Sequence, residues 1–110
     1  MKYFTTEYLS SNYNEFQKGN WDGYIFYKED SVYLDDNILY DARGLFDAIL
    51  EVFPEMRKEE IEPVIDREDW ARIGRLIPPE DHFSTDVYND LHQWVQNVFE
   101  EFGCFTIIWI

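Results

Sequence analysis

The sequence predicts a single α/β domain over residues 1–110, with a small sheet of about three to four strands packed against three to four helices in two or three layers. Three observations lead there. Apolar residues recur at helical steps over 42–53 and again over 87–102. Residues 104–110 form a nearly unbroken apolar run, which suits an interior strand covered on both faces. Aromatic and β-branched residues gather in 23–28 and 32–34 as they do in strands.

Taken in order, residues 6–17 read as a helix carrying Tyr8, Leu9, Tyr13 and Phe16, closed by Gly19-Asn20. Residues 23–28 form a strand, Glu29-Asp30-Ser31 a turn, Val32-Tyr33-Leu34 a second strand and Asp35-Asp36-Asn37 another turn. Asp41 is the expected N-cap of a helix that turns Ala42, Leu45, Phe46, Ile49, Leu50 and Phe53 inward and stops before Pro54. The charged segment 57–62 follows as a helical turn. Pro63-Val64-Ile65 is then an edge strand or an extended connection, because Pro63 has no amide to give a central ladder. Asp66 and Asp69 make a capping pair for a short helix with Trp70, Ile73 and Ile77 inward, ended by Pro78-Pro79. Ser84 is expected to cap the longest helix, with Asp86 in its first turn and Val87, Leu91, Trp94, Val95, Val98, Phe99 and Phe102 as its apolar stripe. Gly103 stops that helix before the final strand.

Twenty-three acidic residues face nine basic ones, for a formal net charge of −14. Such an excess repels nucleic acid and anionic membranes and attracts basic proteins. The charge is uneven. Residues 29–69 hold fourteen acids and four bases, while residues 76–110 hold six acids and no base. Surface helices usually interleave both signs, so a helix without a single Lys or Arg is unusual. No stretch is long and apolar enough to span a bilayer, and the first residues lack the apolar core of a secretory signal, so the expected location is the cytoplasm. The single cysteine, Cys104, fits a reducing compartment and reads as a small buried hydrophobe.

Catalytic signals are missing from the pattern. There is no Gly-rich phosphate loop, nucleophile elbow or metal-ligand spacing, and His82 and His92 share no helical face. Asp35-x-Asn37 begins like a calcium loop, but Tyr40 stands where that loop needs glycine. The expectation is a binding protein with no catalytic residue, metal or cofactor. Its candidate contact residues are Asp66, Glu68, Asp69 and Trp70, where acids flank an indole, and Asp90, Gln93, Asn97, Glu100 and Glu101 on the acid-and-amide side of the last helix. Core packing is the competing use of Trp70. The early aromatics Tyr3, Phe4, Tyr8, Tyr13, Phe16, Trp21 and Tyr24 serve either the core or an interface.

Val95-Gln96-Asn97-Val98-Phe99-Glu100-Glu101, followed by Gly103-Cys104 and Thr106-Ile107-Ile108, resembles the last helix and final strand of the barstar family, intracellular inhibitors of secreted ribonucleases. Leu45-Phe46-Asp47-Ala48-Ile49-Leu50 is similar in order to that family's first helix, whereas the first 30 residues lie outside the resemblance. The resemblance implies a small parallel sheet flanked by helices, and carboxylates that imitate phosphates before a nuclease's Arg and Lys residues. It implies that Glu101 corresponds to an inhibitory glutamate. The family's aspartate pair beside a second-helix tryptophan has no counterpart in Ala71-Arg72-Ile73-Gly74-Arg75. The function expected on these grounds is that of a bacterial immunity protein whose partner is a basic toxin, a nuclease above all, with no direct contact to nucleic acid or membrane. The alternatives are a nucleic-acid-mimicking inhibitor of another DNA- or RNA-binding protein and a structural adaptor module.

Overall fold

The computed structural model describes residues 1–7, 12–19, 31–57 and 62–109. In chain order these form β1 (Phe4–Thr5), β2 (Tyr13–Lys18), β3 (Val32–Asp35), α1 (Asp36–Asp41), α2 (Arg43–Val52), a 3-10 turn (Pro54–Arg57), β4 (Val64–Asp66), α3 (Arg67–Leu76), α4 (His82–Asp90), α5 (His92–Glu101) and β5 (Cys104–Trp109). The α/β class is as expected, with five strands and five α-helices among the described residues. The strands form one sheet in the order β1-β3-β2-β5-β4. Every pairing is antiparallel, where the barstar resemblance implies parallel strands.

Registry explains the core. Phe16 stands opposite Val32 and Ile107, Phe4 opposite Leu34, and Ile65 opposite Phe105, so these side chains share one face. They join Leu39, Leu45, Ile49, Trp70, Ile73, Val87, Leu91, Val95 and Val98 from the helices in a single buried cluster. The opposite face carries Tyr13, Glu15, Gln17, Tyr33, Thr106 and Ile108, and it too is withdrawn from solvent. β5 is therefore an interior strand with both faces covered, as its apolar run implies. Buried Glu15 accepts a hydrogen bond from the Ser31 hydroxyl at 2.9 Å.

Several local expectations give way to tertiary pairing. The segment read as a helix over 6–17 contains β2, the middle strand of the sheet, flanked by positive φ at Asn12 and Gly19. Its aromatics do not follow a helical stripe; Phe16 instead stacks on Phe105 of the adjacent β5 and meets Phe4 of β1, across β3, edge-on. Phe4, Tyr13 and Phe16 are buried, which assigns them to the core. The strand expected at 23–28, and most of the helical turn expected at 57–62, lie outside the described residues.

Asp35-Asp36-Asn37 is not a free turn but the start of α1, because the Asp35 carboxylate accepts the Asn37 amide at 2.7 Å. Asp41 ends that helix, so it cannot cap the next. α2 begins after Ala42 with no capping side chain of its own; Asp81 accepts the Gly44 amide at 2.9 Å and the Ser84 hydroxyl oxygen accepts the Leu45 amide at 3.1 Å. Asp81, not Ser84, also caps α4, taking the Ser84 amide at 3.0 Å and its hydroxyl at 2.7 Å. That earlier start leaves Asp86 beyond the first turn. The long final helix is in fact two, broken at Leu91, although the buried stripe Val87-Leu91-Val95-Val98 runs through the break.

Within α3, Gly74 makes room for Tyr88. A β-carbon there would lie 2.5 Å from the Tyr88 hydroxyl oxygen, whose proton goes to the Trp70 carbonyl at 2.7 Å while the two rings stack with centroids 4.5 Å apart. Gly74→Ala should therefore destabilise the protein by about 1–3 kcal/mol, the usual cost of overpacking, despite alanine's better helix propensity. Urea unfolding checks it; a stability gain would show that Tyr88 moves aside freely.

Candidate functional site

β4 is an edge strand, and its register with β5 sets Asp66 directly opposite Cys104. Asp66 is also the N-cap of α3. Its carboxylate accepts the Asp69 amide at 2.8 Å and its own amide donates to the Asp69 carboxylate at 3.3 Å, the reciprocal pair expected from the sequence. Glu68 and Asp69 thus occupy the first turn of α3, where the helix dipole favours negative charge.

The other half of the site arrives through the chain's last connection. α5 ends in Glu100-Glu101, Gly103 turns the backbone at φ 80°, and Cys104 then enters the sheet beside Asp66. The end of α5 and the start of α3 consequently meet at one corner. Arg67 ties them together by donating from Nη1 to the Gln96 side-chain oxygen at 3.0 Å, with its guanidinium 5.4 Å from the centre of the Phe99 ring. Lys18 lies 5.8 Å from the ring of Phe102, the residue that caps the end of α5. Asp66, Glu68, Glu100 and Glu101 are exposed around this seam. The Glu100 and Glu101 side chains have no hydrogen bond or ion pair among the described residues.

The local field is negative enough to act on its own members. Burial raises the Asp69 carboxyl above its ordinary value, and the Asp66 and Glu68 charges add to that despite the Asp66 amide bond that opposes it. Burial also raises Glu62, just before β4. The Cys104 thiol is raised by burial and then by Asp66, and its side chain is half-buried rather than sequestered. A corner in which ionisation is disfavoured this way gains from any outside cation placed against it.

Not every expected contact residue reaches the corner. Trp70 is only 4% exposed, stacked on Tyr88 and edge-on to Phe105, so its position is that of a core residue. Asp90 is engaged within the molecule: it accepts the Lys2, Tyr3 and Phe4 amides at 2.6, 2.8 and 3.1 Å and so pins β1. Burial would raise its carboxyl, but the three amides together hold it below the ordinary value. Gln93 and Asn97 are exposed and bonded to each other at 3.2 Å, and with Glu101 they follow at four-residue steps along α5.

Sequence reading missed two features. The Arg67–Gln96 bridge joins residues 29 apart and has no local signal. The negative charge also does not form one region, because exposed carboxylates continue along α1 and α2 at Asp36, Asp41, Asp47 and Glu51. Among the described residues there is no group of three or more His, Cys, Asp or Glu able to hold a metal, and no helix is long and apolar enough to cross a membrane. Comparison of this chain with protein-family models, with curated proteins and with solved structures gave no match.

Proposed function

We propose that this chain is an immunity protein that binds and neutralises a cognate bacterial toxin, a nuclease in the simplest case, by presenting carboxylates to the toxin's basic active-site cleft. The observation that carries the reading is the corner where α3 begins and α5 ends, which gathers Asp66, Glu68, Asp69, Glu100 and Glu101 around a seam of Arg67 and Phe99. A nuclease cleft already holds Arg and Lys for phosphates, and carboxylates accept the same charge-assisted hydrogen bonds. Such a protein needs no chemistry of its own. It needs rigid acceptors at an accessible place, and helix ends on a sheet supply them.

The test begins with a tagged chain used to purify its partner from the native host, followed by assay of that partner's nuclease activity with and without the chain. Glu100→Lys/Glu101→Lys should leave the fold intact and weaken toxin binding by about 100-fold or more, mostly through slower association at low salt. Undiminished affinity would remove the end of α5 from the interface. Acidification offers a second readout. Because the Asp69 and Glu62 carboxyls are raised, they gain protons before ordinary carboxylates as pH falls, so affinity should begin to drop above the normal carboxylate range. Complex formation at mildly acidic pH should release protons, measurable by calorimetry in buffers of different ionisation heat.

A nucleic-acid-mimicking inhibitor of another DNA- or RNA-binding protein is the second reading. The specific observation in its favour is the additional run of exposed carboxylates on α1 and α2. Competition by duplex DNA or RNA for a partner that lacks nuclease activity would distinguish it.

A further inference from the structure

At the far end of α3 from the acidic corner, a groove of about 190 Å³ lies between α2 and the segment entering Pro78. It is lined by Gly44, Asp47, Ala48 and Glu51 of α2 and by Leu76 and Pro78, with Gly44 and Ala48 buried and Asp47, Glu51 and Leu76 exposed. We propose that this groove receives one arginine side chain projecting from a partner protein, its methylenes along Leu76, Pro78 and Ala48 and its guanidinium between the Asp47 and Glu51 carboxylates. The proposal does not rest on the toxin reading.

Size, charge and shape point the same way. Ligand pockets for whole small molecules run from about 300 Å³ upward, so this groove suits a single long side chain. Leu76 is 41% exposed, and its surface offers apolar cover to an arginine stem while the head stays polar. Asp47 and Glu51 are one helical turn apart, a spacing that a planar, forked guanidinium bridges better than a compact ammonium. The Glu51 side chain has no hydrogen bond or ion pair among the described residues. Among the described residues the Asp47 side chain meets only Arg43 of its own helix, at 3.6 Å with both side chains 57% exposed, a contact that contributes little in water. Arg43 is not part of the groove; its guanidinium lies over Tyr40 and Phe46, 5.4 and 5.6 Å from their ring centres. The Gly44 side is fixed as well, since Asp81 holds the Gly44 amide and Pro78 packs against that glycine. A preformed groove spends little ordering itself when an arginine enters.

The experiment is a residue-resolved NMR titration of the ¹⁵N-labelled full chain with the blocked tripeptide Gly-Arg-Gly and with its citrulline counterpart. Saturable amide shifts over 43–52 and 74–77 are expected with arginine and not with citrulline. Asp47→Asn/Glu51→Gln should weaken that binding about tenfold with unchanged melting, the size of one lost charge-assisted contact, and Leu76→Ser should weaken it with the carboxylates intact. Shifts spread over every acid-bearing segment alike, or equal affinity in the double variant, would overturn the proposal. Shifts confined to 66–69 and 96–101 would overturn it too, while leaving the acidic corner as a cation receptor.

Discussion

Phe105→Ala should cost about 3–5 kcal/mol, the range for emptying a buried aromatic site, and bring the protein close to unfolding at room temperature. Phe105 is fully buried on β5. Its ring centre lies 5.9 Å from Phe16 on β2, 5.4 Å from Trp70 on α3, and 5.5 and 5.7 Å from Trp94 and Phe99 on α5. Aromatic pairs at these distances add to simple area burial. Removing the ring leaves a cavity bounded by four large side chains on three different elements, which cannot close together without moving the helices on the sheet. Phe105→Leu keeps most of the volume and should cost less than half as much. Urea unfolding of the two variants checks the order. A loss below about 1 kcal/mol for the alanine variant would mean that the cluster collapses into the space.

Asp81→Ala should cost about 2–5 kcal/mol, because one carboxylate serves the starts of two helices: a lost N-cap accounts for about 0.5–2 and the further charge-assisted bond for about 1.5–3. The bonds at stake are those to the Ser84 amide, the Ser84 hydroxyl and the Gly44 amide, at 3.0, 2.7 and 2.9 Å. The same bonds, those to Ser84 first, hold the Asp81 carboxyl below its ordinary value. A lowered native value means stability that is complete above the unfolded-state value, near 3.9, and lost as pH falls through the native one. The wild type should therefore weaken below about pH 4, and the alanine variant should show a shallower acid dependence. Gly44→Ala gives an independent check, since its β-carbon would lie 2.5 Å from a carboxylate oxygen of Asp81 and 2.9 Å from Pro78. If that clash already displaces Asp81, the two substitutions together should cost less than the sum of their separate costs. Strict additivity would show that Asp81 keeps its place.

How much was legible in the sequence depended on how local each signal was. The inward faces of α2 and α3, the reciprocal Asp66–Asp69 cap, the stop at Gly103 and the interior character of β5 are all carried by residues within one or two turns of each other. β2 departs from the helix that its sequence predicts because a strand's identity rests on its neighbours. Tyr13, Glu15 and Gln17 look like a polar-aromatic mixture until β3 and β5 flank them and both faces close. The caps differ from the expected ones for a related reason. Asp41 and Ser84 have the right chemistry, but Asp81 reaches α2 from 37 residues away. Among the candidate contact residues, Asp90 and Trp70 have the right composition for a surface and are claimed instead by the N-terminal amides and by the core.

Taken alone, the sequence determined the α/β class, the excess of negative charge and the amphipathic faces, because each follows from composition or from periodicity along a short piece of chain. Tertiary structure alone decided which carboxylates are spent inside the molecule and which remain outside. Strand register put Asp66 beside the end of α5, and chain reversal at Pro78-Pro79 brought Asp81 to α2. A carboxylate's role is set by the donors that surround it, and donors distant in sequence become neighbours only when the chain has folded.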